Sequence, residues 1–113
     1  MKPKYKIEFL DEAVEFLNGL NEKAREKIYY NLKKSQIKND NTLFKKLIGE
    51  IWEFRTLHKR TQYRLFAFWD KTDKTDTLVI STHGIEKKTQ KTPKKEIEKA
   101  ENLRRQYFNE LKK

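Results

Sequence analysis

The chain has 113 residues and no cysteine, and 27 basic against 17 acidic side chains give it a formal net charge of +10. That length suits one domain with a modest core, and the missing cysteine excludes disulfides and thiolate metal sites. The N-terminal lysines precede no apolar segment of the kind a secretory signal carries. The longest apolar run, Leu65 to Trp69, is far too short to span a bilayer. The expectation is one domain over residues 1–113, cytoplasmic, with no membrane segment, metal or small-molecule cofactor.

In chain order, Tyr5 to Phe9 alternates apolar with polar residues, the period of a half-buried strand. Asp11 reads as a helix N-cap, followed by an apolar stripe of Val14, Leu17 and Phe16. Gly19 breaks that helix and Asn21 can cap a second, in which Ala24, Ile28 and Leu32 recur every four residues. The two helices form an αα-hairpin with one face to bury. Lys38 to Thr42 is a polar connector.

Two strands follow, Ile51 to Leu57 and Gln62 to Trp69, joined around the basic turn His58-Lys59-Arg60-Thr61. A third, Thr77 to Thr82, follows a turn at Asp70 to Asp76 and empties into a lysine-rich loop, Gly84 to Pro93. Thr92 at the N-cap and Pro93 at the first helical position announce a last helix. In it Ile97, Ala100, Arg104, Tyr107 and Leu111 repeat at helical spacing. The order β-α-α-β-β-β-α makes an α+β fold: a small, mostly antiparallel curved sheet packed by the αα-hairpin, with a C-terminal helix.

The charge is uneven. Residues 1–43 hold 9 basic and 7 acidic side chains, a net of +2, whereas residues 44–113 hold 18 and 10, a net of +8. Concentration of cations around a sheet and its loops favours a polyanion partner. If Lys59 and Arg60 form a two-residue hairpin loop, Arg55 pairs directly with Arg64 on one face of the sheet. The two arginines would then repel unless an anion or the carboxylate of Glu53, on the same face, lies between them. A Glu-Arg brace and a phosphate clamp fit that geometry equally, and a three-residue loop would separate the arginines to opposite faces. Asp70, Asp73 and Asp76 lack the spacing and glycine of a calcium loop and read as a solvated turn.

Three words of this chain resemble the RelE/HigB superfamily of bacterial type II toxins, most closely its phage-derived HigB-like branch. They are Lys46-Leu47-x-Gly49-x-Ile51-Trp52-Glu53-x-Arg55, Tyr63-Arg64-Leu65, and Gly84-x-x-Lys87-Lys88-Thr89-Gln90-Lys91-Thr92-Pro93, followed by a helix opening Glu96-Ile97-x-x-Ala100. The resemblance covers essentially the whole chain, and the lysine-rich loop ending in proline is its most specific part. It implies a RelE-like fold and a ribosome-dependent endoribonuclease that cuts mRNA and is neutralised by a cognate antitoxin protein. On the match, Arg55 and Arg64 line a concave cleft, Lys87 or Lys88 supplies the basic residue after the third strand, and His58 and His83 are candidates by location. Tyr107 reads as core.

Metal-independent RNA cleavage needs a base for the 2′-hydroxyl, cations for the charge developing on phosphorus and an acid for the leaving 5′ oxygen. Arginine stays protonated, and its planar fork suits phosphate, which assigns that role to Arg64 with Arg55 assisting. Lys87 and Lys88 gain base character if neighbouring cations depress their pKa, and His83 titrates near neutrality. The candidate catalytic set is therefore Arg64, Arg55, Lys87, Lys88 and His83. Lys59, Arg60, His58, Gln90 and Lys91 are candidate RNA-binding residues. Two alternatives share the scaffold or the charge: a gyrase-directed toxin of the ParE type, and a non-catalytic basic module that binds RNA or protein.

Overall fold

A computed structural model describes residues 2–72, 78–87 and 91–112. The elements run β1 (Lys6–Phe9), α1 (Asp11–Asn18), α2 (Glu22–Ile37), β2 (Phe44–Ile48), β3 (Ile51–His58), β4 (Thr61–Asp70), β5 (Leu78–Lys87) and α3 (Lys94–Leu111). They build one five-stranded sheet in the order β1-β5-β4-β3-β2. Strands β2 to β5 form an antiparallel meander, and β1 lies parallel to β5 at the edge. The expected α+β class holds, with one strand more than the sequence pattern suggests. Phe44-Lys-Lys-Leu-Ile hides β2 because two adjacent lysines interrupt its alternation, and Gly49, at φ +57°, opens the turn that pairs it with β3.

The two faces of the sheet carry different layers. On one, α1 packs against β5 and α2 against β3, enclosing Ala13, Leu17, Ala24, Ile28 and Leu32 with Phe54, Tyr63, Leu65 and Val79. Arg25 secures the hairpin by donating to the carbonyls of Leu17 and Leu20 at the end of α1. On the other face α3 lies over Ile51, Phe66 and Ile85 through Ile97 and Ala100. Phe66 and Phe68 are fully buried, as core residues.

One helix cap falls on the expected residue and two are shifted by one. Asn21 caps α2, its Oδ1 accepting from the Ala24 N–H. The cap of α1 is Leu10, not Asp11, which sits in the first helical turn where its charge favours the helix dipole. Val14 is 41% exposed; Ala13, Phe16 and Leu17 form the inward stripe instead. Pro93, not Thr92, takes the cap position of α3, and the Thr92 hydroxyl makes a tertiary contact instead. At the far end of α3, Leu111 is 52% exposed, beyond the edge of the core.

Strand β5 continues to Lys87, so Gly84 belongs to the strand and not to the loop. The Phe16 ring of α1 lies directly over Gly84, and a Cβ there would overlap it. Between the pairs Leu65↔Gly84 and Ala67↔Ser81, β5 carries one residue more than β4. This bulge sets Thr82 and His83 opposite Phe66, and it turns His83, Ile85 and Lys87 toward the α3 side.

Candidate functional site

The β3–β4 hairpin closes with a two-residue turn, and Arg55 pairs with Arg64 in register. Lys59 and Arg60 both occupy left-handed backbone, φ 49° and 68°. That conformation matches the twist of a tight hairpin but is disfavoured for side chains with a Cβ, by about 1–2 kcal/mol per residue. The turn thus holds two exposed cations at the tip of the sheet.

Alternation along β3 and β4 puts Glu53, Arg55, Gln62 and Arg64 on the α3 face. There the Glu53 carboxylate answers both arginines. Arg64 Nη1 donates to its Oε1 at 2.9 Å, and Arg55 Nε lies 3.6 Å from the same oxygen. The Arg64 side chain has no exposed surface, and its Nη2 donates to Gln62 Oε1 at 2.8 Å. Its Nε has no hydrogen-bond partner among the described residues. The Arg55 side chain is 26% exposed and forms the outer edge of the group.

Lys87 joins from β5, directly across from Gln62. Its Nζ donates to Thr92 Oγ1 at 3.0 Å, and that hydroxyl donates to Glu53 Oε2 at 2.8 Å. A continuous polar path therefore runs from Lys87 through Thr92 and Glu53 to Arg64. Burial lowers the pKa of Lys87, the positive charges of Arg64 and Arg55 lower it further, and Glu53 partly opposes them. Burial also pulls the Arg64 guanidinium below its ordinary value, with Glu53 opposing.

The structure thus brings Arg55, Arg64 and Lys87 into one cluster and reorders their layers. Arg64 lies beneath, orienting the Glu53 carboxylate, while Arg55 and Lys87 stand nearer the surface. Glu53 serves as brace, as its parity with the arginines suggested. Thr92 and Gln62 are members that sequence reasoning missed. Local sequence marks Thr92 for helix capping, and no local pattern signals that its hydroxyl reaches 39 positions back to Glu53.

The other candidates are scattered. Lys59, Arg60 and Lys91 are exposed along the same end of the sheet. His58 falls on the α2 face by strand alternation, away from the arginines, and its Nε2 is buried without a partner among the described residues. Lys88 and Gln90 lie outside the described residues, as do Asp73 and Asp76. Asp70 closes β4 as a structural carboxylate, accepting from Thr72 and from the Tyr107 hydroxyl at 2.5 Å. Tyr107 also packs edge-on against Phe68, a half-buried core role.

His83 lies inside β5, not at a strand end, and is only 3% exposed. Its ring stacks on Phe66 with centroids 4.8 Å apart. Its Nε2 lies 3.1 Å from Glu96 Oε1 on α3, and its Nδ1 lies 3.0 Å from Thr82 Oγ1. Burial lowers its pKa and outweighs the opposing effect of Glu96. In its neutral form an Nε2–H donates to Glu96, which leaves Nδ1 an acceptor facing the Thr82 hydroxyl, a group that also lies 3.3 Å from the Phe66 carbonyl. His83 is thereby a tie between the sheet and α3.

This architecture is that of a small basic α+β protein compatible with a RelE-like fold, with Arg55, Arg64 and Lys87 clustered on one face of a curved sheet. Within that class the chain belongs to the phage-derived Gp49-like family (DUF891), whose profile matches residues 15–105, from α1 well into α3. No curated protein matches the chain with significance. Among the described residues, no helix is long and apolar enough to cross a membrane.

Proposed function

We propose that this protein is the toxin of a type II toxin–antitoxin system, an endoribonuclease that cuts mRNA on the ribosome without a metal. The observation that carries this reading is the convergence of Lys87, Arg55 and Arg64 on the single carboxylate of Glu53. Membership of the phage-derived Gp49-like family is consistent with a toxin-like role. A protein antitoxin and the translating ribosome are the partners it implies, and the cytoplasm is the compartment.

In the proposed reaction the neutral amine of Lys87 takes the proton of the 2′-hydroxyl. The 2′ oxygen attacks the adjacent phosphorus, the bond from phosphorus to the 5′ oxygen breaks, and that oxygen takes a proton from water. A 2′,3′-cyclic phosphate remains. Arg55 meets the charge that develops on the phosphate oxygens. Arg64 is a positioning residue: it fixes Glu53, which through Thr92 holds Lys87 at the edge of the cluster. The lowered pKa of Lys87 suits a base. Because the cluster has little else to offer, most of the acceleration would come from in-line positioning of the message by the ribosome.

The test is controlled expression in a bacterium with primer extension on abundant messages, comparing wild type with Arg55→Ala, Lys87→Ala and Lys87→Arg. Discrete new 5′ ends in translated regions, lost when translation is blocked and lost in all three variants, are expected. Lys87→Arg is the sharpest of these, since it keeps the cation and removes the base. Growth arrest with intact messages would point to a gyrase-directed toxin, and unaffected growth to a non-catalytic binding module.

A further inference from the structure

On the sheet face opposite the arginine cluster, the C-terminal end of α2 and the connector after it border one end of the sheet. A pocket of about 400 Å³ opens there, walled by Tyr5, Phe44, Trp52 and Trp69. The rings form a connected set. Phe44 stacks on Trp52 with centroids 4.8 Å apart, and Trp52 meets Trp69 edge to face at 5.9 Å. Lys4 and Lys38 stand at the rim, and the Lys71 ammonium lies 6.0 Å over the Trp69 ring. The one acid of the lining, Asp40, turns its carboxylate onto the backbone N–H and hydroxyl of Thr42, at 2.9 and 2.6 Å.

We propose that this pocket seats a base of single-stranded RNA, with the rim lysines on its flanking phosphates, as a second contact for the message cut at the arginine cluster. Aromatic walls with a cationic rim are the chemistry by which proteins hold unpaired bases, and the volume suits a single nucleotide. The sheet edge links the two faces. Strand β2 carries Lys45 opposite Glu53, on the face of the cluster, and Lys46 opposite Trp52, on the face of the pocket. Both are exposed, so a phosphate backbone rounding this edge meets lysine on either side. The proposal rests on the RNA-directed reading above for its ligand class, but its geometry is independent of Lys87 and the arginines.

Both tryptophans of the chain line this pocket, which makes intrinsic fluorescence a direct report of its occupancy. The full-length protein is titrated with a 2′-O-methyl single-stranded hexanucleotide, which resists 2′-hydroxyl attack, and tryptophan emission is followed. Saturable quenching is expected. Lys4→Glu/Lys38→Glu should weaken it about tenfold at 0.15 M salt, the loss anticipated for two phosphate contacts. Lys23→Glu/Lys27→Glu makes the same charge change about 20 Å away along α2 and should weaken it far less. Unchanged emission, or equal weakening by the two double variants, would overturn the proposal. So would quenching by a protein from the host operon where RNA gives none, which would assign the pocket to a protein partner. Messages cut in cells with no quenching sink the pocket alone; quenching with uncut messages sinks the nuclease reading alone.

Discussion

Arg64 and Glu53 meet across neighbouring strands at 2.9 Å, with the guanidinium fully buried and the carboxylate side chain only 3% exposed. Such a pair returns little net stability while intact, because both charges have left water, but removing one partner strands the other. Glu53→Ala should therefore cost about 3–5 kcal/mol in urea unfolding, and Glu53→Leu combined with Arg64→Met should recover most of that loss. A single variant as stable as wild type would show that water reaches Arg64.

The rate of cleavage should rise with pH. As the proposed base Lys87 must lose its proton, and its pKa is lowered by burial and by Arg64 and Arg55, so the active fraction would grow as pH approaches that depressed value from below. Cleavage by the purified protein on programmed ribosomes should climb by about tenfold per pH unit at most, bending over below the ordinary lysine value of about 10.4. A flat profile would remove Lys87 as the base.

His83 makes a separate, acid-side prediction. Its folded pKa is depressed, so below about 6.5 the unfolded chain takes up a proton that the folded chain resists. Stability should fall as pH drops below that value and level off once the folded form is protonated as well. The groups facing the ring are Glu96 and Lys99 of α3, Glu12 of α1 and the Thr82 hydroxyl. Thermal melts from pH 7.5 downward should show the loss in wild type and a smaller one in His83→Gln (a range chosen to span about one unit above the histidine value).

The hairpin tip trades stability for charge. Lys59→Asn with Arg60→Gly places residues suited to left-handed backbone at both positions and should raise stability by about 1–2 kcal/mol. The same change removes two exposed cations, so RNA affinity should drop and its salt dependence should become shallower. Paired denaturation and binding measurements separate the two effects.

Gly84→Ala should destabilise by about 1–3 kcal/mol, since the added methyl overlaps the Phe16 ring. Phe16→Leu should relieve much of that cost in the double variant while being mildly destabilising alone. The coupling is read from a double-mutant cycle in urea.

Much of this was legible beforehand because it depends on neighbours along the chain. The spacing of Ala24, Ile28 and Leu32 specifies a helix face and the alternation in β3 and β4 specifies two sheet faces, whereas the turn length that joins Arg55 to Arg64 was one of two the sequence allowed. Strand β2 escaped notice because Lys45 and Lys46 are adjacent and an edge strand needs only one partner. His83 reads from sequence as the end of a strand because Gly84 looks like the start of a loop, whereas β5 runs on through both to Lys87.

By itself the sequence determined the α+β class and the basic half of the molecule, and it named Arg55, Arg64 and Lys87 among its candidates while leaving their register open. Periodicity and charge are properties of the chain, and they survive whatever it packs against. Only the tertiary structure decided that Arg64 lies beneath Glu53, that Thr92 connects Lys87 to that carboxylate, and that the two tryptophans share an open pocket on the far face. Each of those depends on which side chains lose water together, and that is set by strands and helices meeting from distant parts of the chain.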